Sequence, residues 1–314
     1  MSTNTPLTPT IRTTLLADLE GLWQHFDEMV GTLGPDDWSG KHGKHWTFTD
    51  VPYHLAYFDL EVIATAIRRG LHVPASEQVL RTEAEQDAWN EIKFTQRPVG
   101  TTSRQCLEQM QDGRQAIRDA VAGLSEADLD RPVFIPLVGL GWVSVRVALE
   151  TCYSHTWNHL MQLRFWMKCE APAPGPEQTQ RALSYFMLSF ARNLDHEQAA
   201  QTRLTAVMEF SGSGGGVWTL QVAGGVCRVS EGRAAQPDLI ISQSPETFVK
   251  TRTGIEHPTL ARLTGKIKVQ GWRNLRTFEK LFPIKGLDFA PAPVGTLDAR
   301  MTARTGLLLQ TNAA

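Results

Sequence analysis

The sequence predicts an all-α four-helix bundle over residues 10–170, then a smaller α+β domain with an antiparallel sheet over residues 177–283. Three observations carry this expectation. Within residues 10–168, apolar side chains recur at three- and four-residue steps in four long runs, as in helices that bury one stripe. Ala171-Pro172-Ala173-Pro174-Gly175-Pro176 is a stiff linker and the best boundary in the chain. Beyond it the apolar period shortens to two, in short segments separated by Gly-rich turns, as in antiparallel strands.

Length and composition suit this plan. A chain of 314 residues, 42% hydrophobic and 20% charged, is long enough for two cores. A net charge of -2 implies no general attraction to nucleic acid. No apolar run reaches the ~20 residues that span a bilayer. Met1-Ser2-Thr3-Asn4-Thr5-Pro6 has neither the basic start nor the apolar core of a secretion signal. Cys106, Cys152, Cys169 and Cys227 are widely spaced with no C-x-x-C, which fits free thiols and a cytoplasmic location.

In chain order, the first helix begins near Thr10 and is striped by Leu15, Leu16, Leu19, Leu22, Trp23, Phe26, Met29, Val30 and Leu33, with Gly34-Pro35 as its stop. Thr49 is the expected cap of the second helix, with Pro52 in the first turn, where no helical N–H is needed. That helix carries His54 one turn in and ends at Gly70. A shorter helical piece around residues 83–94 holds Asp87-Ala88-Trp89-Asn90. The third long helix spans about 103–124 with Ser103 as its cap, and an extended connection leads to the fourth, about 144–168. After the linker come a helix near 177–194, strands near 204–210, 216–222, 227–229 and 238–242, a helix from Pro245, a short strand within 265–271 and a last helix near 275–281. Residues 284–314 form a C-terminal tail without a clear period.

The fourth helix holds the most informative pattern. His155 and His159 are four residues apart, so they stack on one helix face. Val145, Ala148, Leu149, Cys152, Thr156, Leu163 and Trp166 share that face, so both histidines are expected to point into the core. Polar groups there must find partners or cost roughly 1–3 kcal/mol each. One metal ion satisfies both, and bundles commonly build such sites from facing helices. His54 is the best third ligand, with Cys152 as an alternative in a Cys-His-His set. Core packing of the pair by hydrogen bonds is the other reading of the same spacing.

Residues 10–168 resemble the DinB/YfiT-like superfamily of four-helix bundles. The resemblance rests on the Trp46-Thr47-Phe48-Thr49-Asp50-Val51-Pro52-Tyr53-His54-Leu55 lead-in to the second helix, on Asp87-Ala88-Trp89-Asn90, and on His155-x-x-x-His159. The family's usual metal triad falls here on His54, His155 and His159. The mycothiol-dependent maleylpyruvate isomerase branch is similar but typically carries Glu where this chain has His155, which is closer to the YfiT-like thiol-transferase branch. Residues 177–283 resemble the sterol-carrier-protein (SCP-like) domain. That resemblance rests on Gly216-Val217-Trp218-Thr219-Leu220, Pro237-Asp238-Leu239-Ile240-Ile241, Ser244-Pro245-Glu246-Thr247-Phe248 and Gly265-Lys266-Ile267-Lys268-Val269-Gln270-Gly271.

The first resemblance implies a metal-dependent thiol transferase or thiol-dependent isomerase acting on a small electrophile. Its cofactors would be a divalent metal, Zn²⁺ or Ni²⁺, and a low-molecular-weight thiol as co-substrate. Trp89 and Asn90 are expected at the cofactor-binding pocket, and Asp59, Asn90 and Asn158 are available by type to orient the imidazoles. The second resemblance implies the alternative, a hydrophobic-ligand (lipid) binding protein with a structural or vestigial metal site. The expected partners are thus a small-molecule substrate and an apolar ligand. A homodimer is allowed, and neither nucleic acid nor a membrane span is expected.

Overall fold

The computed structural model describes residues 11–42, 46–74, 77, 80, 82–137, 140–167 and 173–283. Its helical N-terminal region is followed by a smaller region built on a five-stranded, mostly antiparallel sheet. The tail expected over 284–314 lies outside the described residues.

Four long helical segments make the bundle: α1 (Ile11–Val30), α2 (Asp50–Tyr57) with its continuation α3 (Thr65–Arg69), α5 (Ser103–Ala122) and α6 (Val145–Met167). The stripe read from the first helix is buried as expected, from Leu15 through Phe26 to Val30. α2 and α3 are one rod interrupted by a π-helical segment, Phe58–Ala64, which the sequence pattern does not reveal. The extra residue per turn re-aims the side chains that follow, and such segments favour functional sites. Gly70, at φ 59°, ends the rod as expected.

Two caps differ from expectation. Thr49 makes no capping bond; its hydroxyl donates instead to the Trp38 carbonyl oxygen at 3.0 Å. α5 is capped by Thr102 rather than Ser103, in a box with Gln105, because Thr102 alone has the extended backbone that aims its hydroxyl at the Gln105 N–H. A similar box, Thr82 with Glu85, starts α4 (Glu83–Gln96), which leans on α2. The connection before α6 is a β-hairpin, β3 (Pro132–Ile135) with β4 (Gly141–Ser144).

After α7 (Pro176–Arg192) and α8 (His196–Ala200) come β5 (Leu204–Phe210), β6 (Gly216–Ala223), β7 (Val226–Glu231) and β8 (Leu239–Gln243). Then follow α9 (Pro245–Arg252), α10 (Pro258–Leu263), β9 (Lys268–Gln270) and α11 (Trp272–Leu281). The strand order is β7-β6-β5-β8-β9. The sheet is antiparallel as the sequence predicts, apart from β5 and β8, which pair in parallel. The return from β7 to the far side of β5 delivers β8 in the same direction, and strand periodicity carries no signal of direction.

Apolar packing is continuous between the two regions. Trp157 of α6 meets Phe186 of α7 at 5.9 Å between ring centroids. Phe186 meets Phe248 of α9 at 5.4 Å, and Phe248 meets Phe210 of β5 at 5.4 Å. This aromatic chain holds α7 and α9 against α6, the helix that carries His155 and His159, and so positions the site.

Candidate metal centre

The start of α2 is anchored before it reaches His54. The Asp50 carboxylate accepts from the Thr47 backbone N–H at 2.6 Å and from the Thr47 hydroxyl at 2.9 Å, and pairs with Arg97 at 2.6 Å. His54, one turn in, therefore has a defined direction. It is 5% exposed and points across the bundle to α6.

There it meets His155 and His159. His54 Nε2 lies 2.9 Å from His155 Nε2, which lies 3.1 Å from His159 Nε2. All three candidate ligand atoms fall within 4.8 Å of one another. Among the described residues this is the group of His, Cys, Asp and Glu with metal-ligand spacing. Cys152 is not part of it: its thiol donates to Asp59 Oδ1 at 3.3 Å, on the inner side of the helix. Asp59 is thereby turned away from the imidazoles as well.

Hydrogen bonding fixes the tautomer of His54. Tyr57, three residues on, donates its hydroxyl proton to Asn90 Oδ1 at 2.8 Å. Burial raises the Tyr57 pKa, so the hydroxyl keeps that proton. A hydroxyl has one proton, so the contact between His54 Nδ1 and Tyr57 Oη needs the proton of Nδ1. Nε2 is then left with a bare lone pair, aimed at His155. Burial pushes the His155 pKa down to about 3, so that ring is neutral and has one N–H to share. A single Nε2 proton on His155 cannot make linear bonds to both His54 and His159. A cation shared by all three nitrogens resolves the conflict. Two nitrogens bound ~2.1 Å from one ion lie roughly 3.0–3.4 Å apart, close to the 2.9 and 3.1 Å that separate His155 Nε2 from the other two. The residues therefore fit a metal.

Aromatic rings surround the cluster. Phe58 stacks on His155 at 3.8 Å, Trp46 stacks on His159 at 5.9 Å, and Trp46 and Phe94 pack together beside His54. These rings exclude water on three sides and lower the local dielectric. The remaining side opens into a cavity of ≈ 180 Å³. His54, Phe58, Trp89, Asn90, His155 and Asn158 line its bundle wall. Tyr185, Phe186, Ser189 and Arg192 of α7, Asn193 just beyond it and Arg252 of α9 supply another wall.

The structure thus brings together His54, His155 and His159, and puts Trp89, Asn90 and Asn158 on the same cavity. Sequence reasoning missed Tyr57, although its place three residues after His54, on the same helix face, was a usable signal. It also missed Phe58 and the whole wall from α7 and α9. Nothing local marks those residues, because tertiary packing alone delivers them.

A helical bundle with a three-histidine cluster at the mouth of a cavity, walled by an α+β half, defines a two-part protein whose parts have separate relatives. Residues 18–163 match the DinB superfamily, and residues 189–284 match the SCP-2 sterol transfer family. The N-terminal bundle is thus similar to the DinB superfamily and the region after it to the SCP-2 sterol transfer family, each match covering less than half of the chain. Curated relatives include hydroxysteroid dehydrogenase-like protein 2 of Pongo abelii, 30% identical over 105 residues, or 33% of this chain and 25% of that protein. The Bos taurus protein of the same name is 28% identical over 106 residues, or 33% of this chain and 25% of that protein. The chain thus spans a quarter of the length of these relatives. Among solved structures, the mycothiol-dependent maleylpyruvate isomerase aligns with a TM-score of 0.50 and 15% identity, covering 86% of this chain and 96% of that one. A mutant of the same isomerase gives a TM-score of 0.50 at 12% identity. At such identity the likeness shows a shared fold. No helix among the described residues is long and apolar enough to cross a membrane.

Proposed function

We propose that this chain is a metal-dependent enzyme of thiol chemistry, a thiol transferase or thiol-dependent isomerase acting on a small electrophile. The carrying observation is the convergence of three imidazole nitrogens, within 4.8 Å of one another, beside a cavity that His54 and His155 line. His54, His155 and His159 would hold a divalent ion, with Zn²⁺ and Ni²⁺ both suited to three imidazoles. Three neutral ligands leave the ion's full charge in place, which favours an anionic fourth ligand and lowers the pKa of a thiol there. Phe58 and Trp46 keep water from the protein side of that position. Trp89 and Asn90 serve the thiol co-substrate: the indole face packs on its carbon skeleton, and the Asn90 amide N–H groups remain as donors once Oδ1 has accepted from Tyr57. The electrophile enters from the wall formed by α7 and α9, between Phe186 and Arg192.

The test is a screen of low-molecular-weight thiols against small electrophiles, with metal content measured in the same samples. Turnover by the metal-loaded protein, lost together with metal in His155→Ala, supports the reading. Retained activity in the metal-free variant refutes it. A second reading is favoured by the SCP-2 family match: the chain binds an apolar ligand and the metal site is structural. Solvent extraction and mass spectrometry of the purified protein separate the two, because a carrier copurifies with an apolar molecule in stoichiometric amount.

A further inference from the structure

The C-terminal surface formed by α10, β9 and α11 combines two features that a soluble surface rarely carries together. The first is exposed apolar area. Leu260 is 53% exposed, Leu263 81% and Trp272 57%, within 13 residues of sequence. The second is charge. Residues 258–282 contain six Lys and Arg and a single acidic residue, Glu279, for a local charge of +5. The whole chain carries -2, so the rest of it carries -7.

These residues form one continuous surface. The Ile267 N–H donates to the Ala261 carbonyl at 3.1 Å, which folds the lead-in to β9 back onto α10. Arg262 of α10 reaches Glu279 of α11 at 4.0 Å, which ties the two helices side by side. α11 buries Phe278 and Leu281 against the sheet. Trp272 and Arg276, one turn apart, face outward together. Lys268, Arg273 and Lys280 are exposed on the same elements, and Lys266, also exposed, pairs with Glu256 at 2.6 Å.

β9 is an edge strand, and lysines on an edge strand deter pairing with other sheets. That accounts for Lys268, and the ion pair with Glu256 accounts for Lys266. It does not account for a half-exposed indole and two exposed leucines, whose contact with water is unfavourable. An indole and leucines ringed by Lys and Arg match the interface of an anionic bilayer: the apolar groups reach the acyl boundary and the cations meet lipid phosphates and carboxylates. Nucleic acid fits less well, because aliphatic leucines offer no stacking surface to bases.

We propose that the surface of α10, β9 and α11, with Leu263 and Trp272 at its centre, docks the protein on anionic lipid membranes. The binding is peripheral and salt-sensitive, and it is independent of the histidine cluster.

The experiment is co-sedimentation of the full chain with vesicles of phosphatidylcholine, with or without phosphatidylserine, at low and high salt. Two double variants, Leu263→Ser/Trp272→Ser and Arg273→Glu/Arg276→Glu, change only exposed side chains, and an unaltered circular dichroism spectrum establishes their fold. The proposal expects binding to phosphatidylserine vesicles that falls at least about tenfold in each variant and at high salt. It is overturned by absence of binding, by equal binding to pure phosphatidylcholine, or by undiminished binding of both variants. Binding of single-stranded RNA through the same residues, with no vesicle binding, also overturns it.

Discussion

His54 Nε2 stands 2.9 Å from His155 Nε2, although 101 residues of chain separate them. Two neutral imidazoles at that distance need a proton or a cation between them. The third ring, His159, competes for the same place, and Tyr57 has already assigned the only proton on His54 to Nδ1. On the proposed reading a shared positive ion resolves this competition, and the predictions below probe the residues around it.

The Tyr57 hydroxyl is the link between His54 and Asn90, at 2.8 Å from the latter. Tyr57→Phe keeps the ring packing and removes that link, so the tautomer of His54 is no longer fixed. Partners of this kind typically contribute about 10–100-fold in metal affinity. Competition with a chromogenic chelator should find Zn²⁺ bound at least about tenfold more weakly in Tyr57→Phe, with thermal stability of the apo-protein nearly unchanged. Equal affinity in the two proteins would show that the hydroxyl plays no such part.

Asp59 carries a pH dependence of stability. Burial pushes its pKa up from 3.8 to about 7, against the smaller lowering by the Cys152 hydrogen bond and the Arg114 charge. The folded state thus holds its proton more tightly than the unfolded chain does. The stabilisation is complete below pH ~4 and is lost as pH rises through the folded value near 7, for a loss on the order of 4 kcal/mol. Asp59→Asn mimics the protonated acid at every pH. Urea midpoints at pH 5 and pH 8.5 should fall clearly in the parent and less in Asp59→Asn, where buried Glu150, its pKa also raised to about 7, still contributes. Parallel declines in both would assign the dependence elsewhere.

Gly113 marks the closest approach of α5 to α2. A Cβ there would lie 2.8 Å from the Ala56 carbonyl oxygen and 3.2 Å from Asp59 Cβ. Alanine gains ~1 kcal/mol of helix propensity over glycine. Moving a packed backbone carbonyl costs more, about 1–3 kcal/mol. Gly113→Ala should therefore lower the melting temperature, and an increase would mean that the two helices separate at little cost.

Much of this was legible in the sequence, for identifiable reasons. Stripes such as Leu15–Leu19–Leu22–Phe26 encode a buried helix face through spacing alone, and β5 was legible to the residue because Leu204–Phe210 alternates between flanking turns. His155 and His159 betrayed themselves as polar groups on an apolar stripe. The π-helical segment at Phe58–Ala64 was not legible, since its residues are compatible with an ordinary α-helix and only packing selects the wider turn. Nor was the parallel pairing of β5 with β8, nor the contribution of Arg192 and Arg252 to the cavity. Those depend on how α7 and α9 dock, and the docking is set by Trp157, Phe186 and Phe248 acting together rather than by any local pattern.

The cysteines test burial directly. Cys106, Cys152 and Cys227 are buried thiols, and burial raises all three pKa values, that of Cys227 to about 12. None forms thiolate at neutral pH, so none should react with iodoacetamide in the folded protein, while all three should be alkylated in urea. Peptide mapping by mass spectrometry reads each site separately, and rapid native alkylation of Cys152 would contradict its bond to Asp59.

The central claim is that His54, His155 and His159 bind one metal ion, and elemental analysis of the untagged protein tests it most directly. Measured as purified and after reconstitution with Zn²⁺ or Ni²⁺, the parent should hold about one equivalent, and His54→Ala and His155→Ala should hold little or none while remaining folded. A parent that holds no metal after reconstitution, or variants that keep it, would contradict the claim and leave three core histidines beside a cavity.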